Sequence, residues 1–167
     1  PCFHRCQVTF IDNASTDGSV DFIESIDGVR LLKHKQNEGY GASLIHGLQA
    51  TSHERIIIID ADCEYPVEAI PLLLQALSEH NVVYASRLSG KTSCEEAGMP
   101  WIKMWGNQII SSLFNFLFQQ RCTDLYTGCK ALRRTALKNI KLERNGFEHV
   151  LELASQLACR GYHIAEV

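Results

Sequence analysis

No stretch of this 167-residue chain reaches the roughly 18 consecutive apolar residues of a membrane-spanning helix. Its seven cysteines contain no Cys-x-x-Cys; the nearest pair, Cys2 and Cys6, is one residue too wide, and nothing with zinc-finger spacing comes after it. They read as free, mostly buried thiols of a reducing compartment. No two of the seven histidines stand as His-x-x-x-His. His4, His34, His46, His53, His80, His149 and His163 read as surface or capping residues, which argues against a histidine-based site. An excess of one charge is missing too. With 16 Lys+Arg against 19 Asp+Glu the net charge is -3, and nothing in it points to nucleic acid. Repeats, low-complexity tracts and linkers are absent. An initiating methionine is also lacking: the chain opens at Pro1 and reads as a piece of a longer protein, so missing leader or membrane segments exclude little. The remainder, 46% hydrophobic and 21% charged, is enough for one domain with a real core.

The most informative stretch present is Ile56-Ile57-Ile58-Ile59 followed by Asp60-Ala61-Asp62. A β-branched run of this kind predicts a strand buried on both faces, as in a parallel sheet covered by helices. Open parallel sheets bind ligands beyond the carboxyl ends of their strands, where Asp60 and Asp62 stand. Two apart on an extended segment, the carboxylates can share a side. Two carboxylates are costly to bury without a partner, and hard oxygen ligands suit magnesium or manganese. A calcium loop is a poorer reading, because Tyr65 occupies the glycine position. An aspartyl-phosphate phosphatase also uses Asp-x-Asp after a strand, but Glu64 stands where Thr or Val belongs. Asp62 could simply cap a helix beginning at Pro66.

Elements alternate around this point. Strands are predicted at Val8–Asp12, Arg30–Lys33, Arg55–Asp60, Val82–Ala85 and His163–Val167. Helices are predicted at Ser19–Ile26, Ala42–Ala50, from Pro66 to Asn81 and over Gly146–Cys159. This is the rhythm of an α/β fold. Ser89–Pro100 is loop-like, Trp101–Phe118 is a helix richer in apolar residues than a surface helix needs, and Thr123–Arg134 reads as loop and short strand. Asp12 to Gly18 succeeds a strand with short polar residues that can meet a ribose or base edge, or cap the next helix. Asn37 to Ala42 is a glycine turn able to bring backbone to a ligand, or merely to supply positive φ. It is neither the dinucleotide fingerprint nor a P-loop. Arg87 comes directly after the Val82–Ser86 strand, where a guanidinium suits phosphate or a surface ion pair.

Taken in order, Asp12-Asn-Ala-Ser-Thr-Asp-Gly-Ser19, Asn37-Glu-Gly-Tyr-Gly41, Asp60-Ala-Asp62 with Pro66, Ala85-Ser-Arg87, Thr123-Asp124 with Thr127-Gly128, and Gly146-Phe-Glu148 resemble the family 2 glycosyltransferases of GT-A fold. The closest branch is the dolichyl-phosphate mannose synthase and polyprenyl-phosphate glycosyltransferase group. The likeness runs from Val8 to Val167. It implies an α/β, Rossmann-like nucleotide-diphospho-sugar transferase fold, with a mostly parallel sheet flanked by helices. The first strand and helix are lacking, so that residues 1–167 form a single catalytic domain truncated at its amino end and inactive on its own if that strand is needed. It implies an inverting, metal-dependent hexosyltransferase that moves a sugar from a GDP- or UDP-sugar to a polyprenyl or dolichyl phosphate. The work would be done at the cytoplasmic face of a membrane, in a homo-oligomer if the apolar helix serves as an interface. The alternatives are a saccharide hydroxyl acceptor or a non-catalytic remnant binding lipid or protein.

By the same resemblance, Asp12, Asn13, Asn37 and Gly41 fall to the nucleotide, and Asp60, Asp62 and Glu64 to Mg2+ or Mn2+, with Asp60 also gripping the sugar nucleotide. Arg87 and Lys130 fall to phosphate, and Asp124 and Glu148 to the acidic catalytic positions, with Arg87 beside them. Lys103 would help to steer an anionic acceptor. Asn13, Glu64, Cys129 and Lys130 depart from the branch's Asp, Gln, Phe and Arg, which bears on donor and acceptor identity. Were the acceptor a hydroxyl, Asp124 or Glu148 would have to act as base.

Overall fold

A computed structural model of the chain describes residues 6–88 and 101–167, with side chains in the second stretch from Trp105 onward. Cys2, His4, the expected Ser89–Pro100 loop and the Lys103 side chain lie outside the described residues. The chain forms two compact units, residues 1–52 with 142–149, and residues 53–141 with 150–167.

The first unit holds β1 (Val8–Asp12), α1 (Ser19–Glu24), β2 (Val29–Lys33) and α2 (Tyr40–Ala50). The two strands pair in parallel, Val8 opposite Val29 and Asp12 opposite Lys33, as expected of a strand–helix–strand unit. The turn into α1 uses Gly18 at φ 85°, where the left-handed backbone suits a residue without Cβ. Asp17 Oδ1 then accepts the Ser19 amide at 3.0 Å and its hydroxyl at 2.6 Å.

The second unit holds β3 (Arg55–Ile58), α3 (Ala69–Ala76), β4 (Val82–Tyr84), α4 (Trp101–Phe118), β5 (Lys130–Arg133), α5 (Arg134–Leu137), most of α6 (His149–Cys159) and β6 (Ile164–Glu166). Its sheet runs β3-β5-β4-β6. β5 lies antiparallel to β3 and β4, while β6 is parallel to β4, so three of the four strands run the same way. Pleating divides the side chains. Val83, Ala131, Ile57 and Ala165 lie with Leu73 of α3 and its C-cap residue Leu77 in one apolar cluster, completed by Tyr65, Ala85 and Cys129. Leu73 and Leu77, four apart on one helical stripe, are fully buried, at about 1.5–3 kcal/mol each. On the other pleat, Ile56, Val82, Tyr84, Lys130, Leu132 and Ile164 are also buried.

Several expectations need correction. β3 ends at Ile58 and is an edge strand among the described strands; only Ile56 of it is buried and Ile59 is exposed, so it is not covered on both faces. Asp60 and Asp62 therefore stand in a bent segment beyond the strand, with Cys63 at φ 62°, and not on an extended one. Pro66 does not open a helix. Two turns, Ala69 N–H to Pro66 O and Ile70 N–H to Val67 O, precede α3, and its N-cap residue Glu68 makes no side-chain cap. The Asp62 cap fails with it, since Asp62 Oδ1 accepts the Glu64 amide at 3.0 Å. α6 begins at His149 instead of Gly146. Of the five described free cysteines, Cys122 and Cys129 are buried but Cys6, Cys63 and Cys159 are exposed. His149 is buried, its Nδ1 2.7 Å from Gly146 O, and the side chain of His34 is almost fully enclosed.

Candidate active site

Strand direction alone brings the chemistry of the second unit to one sheet edge. Ile58 and Tyr84 both sit opposite Lys130, and Tyr84 sits opposite Glu166. The carboxyl ends of β3, β4 and β6 thus meet the amino end of the reversed β5. The segment leaving β3 (Asp60, Asp62, Glu64), the residue leaving β4 (Arg87) and the segment entering β5 (Asp124 to Gly128) share that edge.

Arg87 is its centre. Its Nε donates to Asp124 Oδ2 at 2.7 Å and its Nη2 to Asp124 Oδ1 at 3.1 Å, a bidentate grip on a fully buried carboxylate. Its Nη1 donates to Glu64 Oε2 at 2.8 Å, and the guanidinium lies 5.7 Å from the Tyr65 ring centroid. Burial works against this charge, but the hydrogen bonds and charge of Asp124 outweigh it and hold Arg87 above its ordinary range. Asp124 is held from a third side by Asn107 Nδ2 at 2.7 Å.

Asn107 comes from α4, whose inward face carries polar residues beside the buried Phe114. Asn107, Ser111 and Asn115, at i, i+4 and i+8, point inward. Ser111 Oγ accepts the Leu125 amide at 3.3 Å, and Asn115 bonds both the carbonyl and the amide of Cys122. The apolar Trp105, Ile109, Leu113, Phe116 and Leu117 are exposed instead, Phe116 at 82%.

Asp60 is defined by Gly128. A Cβ at Gly128 would stand 2.1 Å from Asp60 Oδ2, so this turn is shaped around the carboxylate. Tyr65 fixes the turn. Its hydroxyl accepts the Gly128 amide at 2.7 Å and lies 3.0 Å from the Thr127 hydroxyl. Burial raises the Tyr65 phenol to about 12, so it stays a neutral hydroxyl. Lys130 is buried beside them, with its Nζ donating to Thr127 O and lying 5.1 Å from the Tyr84 ring centroid. Burial lowers it to about 8, against the upward pull of Asp60 and then Asp124. Among the described residues no group of three or more His, Cys, Asp or Glu is placed to hold a metal. The chain offers two hard carboxylates, Asp60 cradled by Gly128 and Asp62 exposed at the edge. That donor set fits a divalent ion that takes its other ligands from a diphosphate.

The first unit contains the remaining predicted residues. Asp12 is buried and its carboxylate accepts the amides of Ala14 and Ser15 at 3.1–3.2 Å, so it shapes its own turn. Asn13 donates to Asn37 Oδ1 at 2.9 Å and accepts from the Glu38 amide at 2.9 Å and from His34 Nδ1 at 3.0 Å, tying the two polar loops together. The closeness demanded of Gly39 and Gly41 is to the chain itself. A Cβ on them would meet Asn145 O at 2.2 Å and Arg144 O at 2.1 Å, and the Gly41 amide donates to Asn145 O at 2.8 Å. Glu148 is exposed in the turn before α6, next to Gly146. Sequence reasoning missed Asn107, Tyr65 and Glu166. The stripe Asn107–Ser111–Asn115 was the available signal for the first; Tyr65 and Glu166 carry none locally.

Over this α/β sheet, with carboxylates leaving β3 and an arginine leaving β4 at one edge, residues 3–141 match glycosyl transferase family 2. The chain belongs to that family. It is 29% identical over 165 residues to the dolichyl-phosphate hexose transferase of Haloferax volcanii, covering 98% of this chain and 68% of that one. It is 23% identical over 164 residues to the dolichol-phosphate mannosyltransferase of Saccharomyces cerevisiae, covering 92% and 59%. Among solved structures it resembles glucosyl-3-phosphoglycerate synthase from Mycobacterium tuberculosis in complex with UDP, with a TM-score of 0.70 at 19% identity. That match covers 95% of this chain and 57% of that one, and it supports the GT-A fold. The chain thus spans 57–68% of the length of these relatives.

Proposed function

We propose that the protein to which this chain belongs transfers a hexose, with inversion, from a nucleoside-diphosphate sugar to a polyprenyl or dolichyl phosphate. The observation that carries the reading is the Asp124–Arg87 pair standing at the same sheet edge as Asp60. A fixed cation beside a carboxylate pair suits two phosphates, one leaving and one attacking. In this reading Asp60 and Asp62 hold Mg2+ or Mn2+, with Glu64 beside them; the ion neutralises the diphosphate as it leaves. Arg87 and Lys130 bind phosphate oxygens, and Asp124 sets the orientation of Arg87. Asp12, Asn13, Asn37 and Gly41 form the loops assigned to the nucleotide, and Glu148 the later acidic position. A phosphate acceptor is already anionic at neutral pH and needs orientation more than a base. This agrees with an Asp124 whose two oxygens are both committed to Arg87.

The outward apolar face of α4 supports a lipid acceptor, since a helix with this face suits the interfacial plane of a bilayer. No helix among the described residues is long and apolar enough to cross a membrane. The working place proposed is the cytoplasmic surface of one. The family leaves the phosphatase reading without support.

The test is transfer of radiolabelled sugar from GDP-mannose, GDP-glucose or UDP-glucose to dolichyl phosphate by the full-length protein, with Mn2+ or EDTA. A chloroform-soluble, alkali-stable product that disappears with EDTA is expected. Product formed only with a saccharide acceptor would overturn the lipid assignment, and EDTA-insensitive transfer the metal assignment.

A further inference from the structure

We infer that Glu166, at the end of β6, is the positioning residue that sets Arg87 in place. It rests on the proposed phosphate-binding role of Arg87. One carboxylate oxygen, Oε1, accepts the Thr123 amide at 2.8 Å and the Asp124 amide at 3.1 Å. The other, Oε2, accepts the Thr123 hydroxyl at 2.8 Å. These bonds fix the backbone of the residue whose side chain grips Arg87.

The second connection runs through hydroxyls. Since Thr123 spends its proton on Glu166, its oxygen is left to accept from Ser86 Oγ, 2.6 Å away. Ser86 Oγ in turn accepts the Leu88 amide at 3.1 Å. The proton order is therefore directed: Leu88 N–H to Ser86, Ser86 to Thr123, Thr123 to Glu166. Ser86 and Leu88 flank Arg87 in the chain. Glu166 thus controls Arg87 twice, from the side chain through Asp124 and from the backbone through Ser86. A carboxylate suits this post because it accepts in every direction; a donor in place of Oε2 would leave the two amide bonds to Oε1 and reverse the proton order through Thr123 and Ser86. β6 delivers it by register, since Tyr84 pairs with Glu166 and Val167 continues the ladder, donating to Tyr84 O at 3.0 Å and accepting from the Ser86 amide at 3.0 Å.

The experiment has two readouts. In the 15N-labelled full-length protein without substrate, the Arg87 Nε–H resonance reports its bond to Asp124, and amide exchange at Thr123 and Asp124 reports the Glu166 bonds. In Glu166→Ala the Nε–H signal should broaden or shift, and both amides should lose protection. Glu166→Gln keeps an acceptor oxygen for the two amides and can donate to the Thr123 hydroxyl. It should retain the protection and much of the signal, which covers the case in which the alanine variant does not fold. In the transfer assay Glu166→Ala should raise KM for the phosphate acceptor on the order of tenfold or more, beyond any change in kcat. An unchanged Arg87 signal and KM in a folded Glu166→Ala protein would overturn the positioning role. An Arg87 signal that responds to Glu166 in a wild-type protein with no transferase activity would support the positioning role and sink the reading of Arg87 as a phosphate site.

Discussion

Arg87 and Asp124 meet along one whole edge of the guanidinium, Nε and Nη2 on the two carboxylate oxygens, with the Arg87 amide closing on the same carboxylate at 3.2 Å. The third nitrogen, Nη1, is left for Glu64, which is the more exposed partner. The arginine is therefore fixed by a buried anion and presented to an exchangeable one.

Breaking the fixed half should be costly. Asp124→Ala leaves a mostly buried guanidinium without its main counter-ion and Asn107 without its acceptor. We expect a loss of about 3 kcal/mol in urea unfolding, with transfer abolished. A loss below about 1 kcal/mol, the range of a surface pair, would show that the pair is solvated in solution.

The exchangeable half should behave in the opposite way. Glu64→Gln removes the anion that competes with substrate phosphate for Nη1. Inorganic pyrophosphate, measured by calorimetry in EDTA so that a metal role does not intrude, should bind more tightly to the variant. Weaker binding would mean that Glu64 helps to hold the anion.

Gly128→Ala should isolate the Asp60 cradle. Gly128 does not have a positive φ, so the cost lies in the clash of Cβ with Asp60 Oδ2. We expect Mn2+ binding and transfer to fall on the order of a hundredfold if the carboxylate is displaced by about 1 Å. Transfer at the wild-type level would show that Asp60 tolerates the shift.

Lys130 makes a stability prediction. Burial lowers it to about 8, so between there and its ordinary 10.5 the unfolded chain holds a proton that the folded one has released. Stability contributed by this group must then rise with pH across that window, its penalty being complete below about 8. The unfolding free energy of wild type minus that of Lys130→Met should increase from pH 8 to 10.5. A flat difference would place the ammonium in water.

In the first unit, Gly39→Ala should cost about 1–3 kcal/mol, because φ is 94° and the new Cβ meets Asn145 O at 2.2 Å. Asn13→Ala should instead loosen the 37–39 loop, seen as faster amide exchange at Glu38, whose amide it accepts.

Element identity was largely readable because the periodicities are local. Leu73 and Leu77 repeat as a helix does, and Ile56 to Ile58 form a strand. The run's carboxyl end was misread because Ile59 is apolar but exposed, and polarity says nothing about where a ladder stops. The antiparallel course of β5 was invisible, since Lys130 to Arg133 looks the same in either direction and only Ile58 and Tyr84 facing Lys130 decide it. At the site, Asp60 and Arg87 could be chosen by type and position after a strand, and Asp124 only through the family resemblance of Thr123-Asp124. Their bonds could not, because Asp124 finds Arg87 from 37 residues away and Glu166 finds Asp124 from 42. α4 misled in a different way. Its apolar residues drew attention, while the working side is the polar one.

The reversed β5 also governs how the nascent chain must behave. Among the described strands, β3 meets its partner when Arg133 arrives to face Arg55, some 78 residues later in synthesis. Until then a four-isoleucine run waits beside open ladder groups. It combines β-branching, low charge and an unsatisfied edge, the features of segments that self-associate. A ribosome pausing before residue 130 would leave that run without this partner strand. The same strand that assembles the acidic edge protects the chain from its own isoleucines, so defects in β5 should show as inclusion bodies before they show as lost activity.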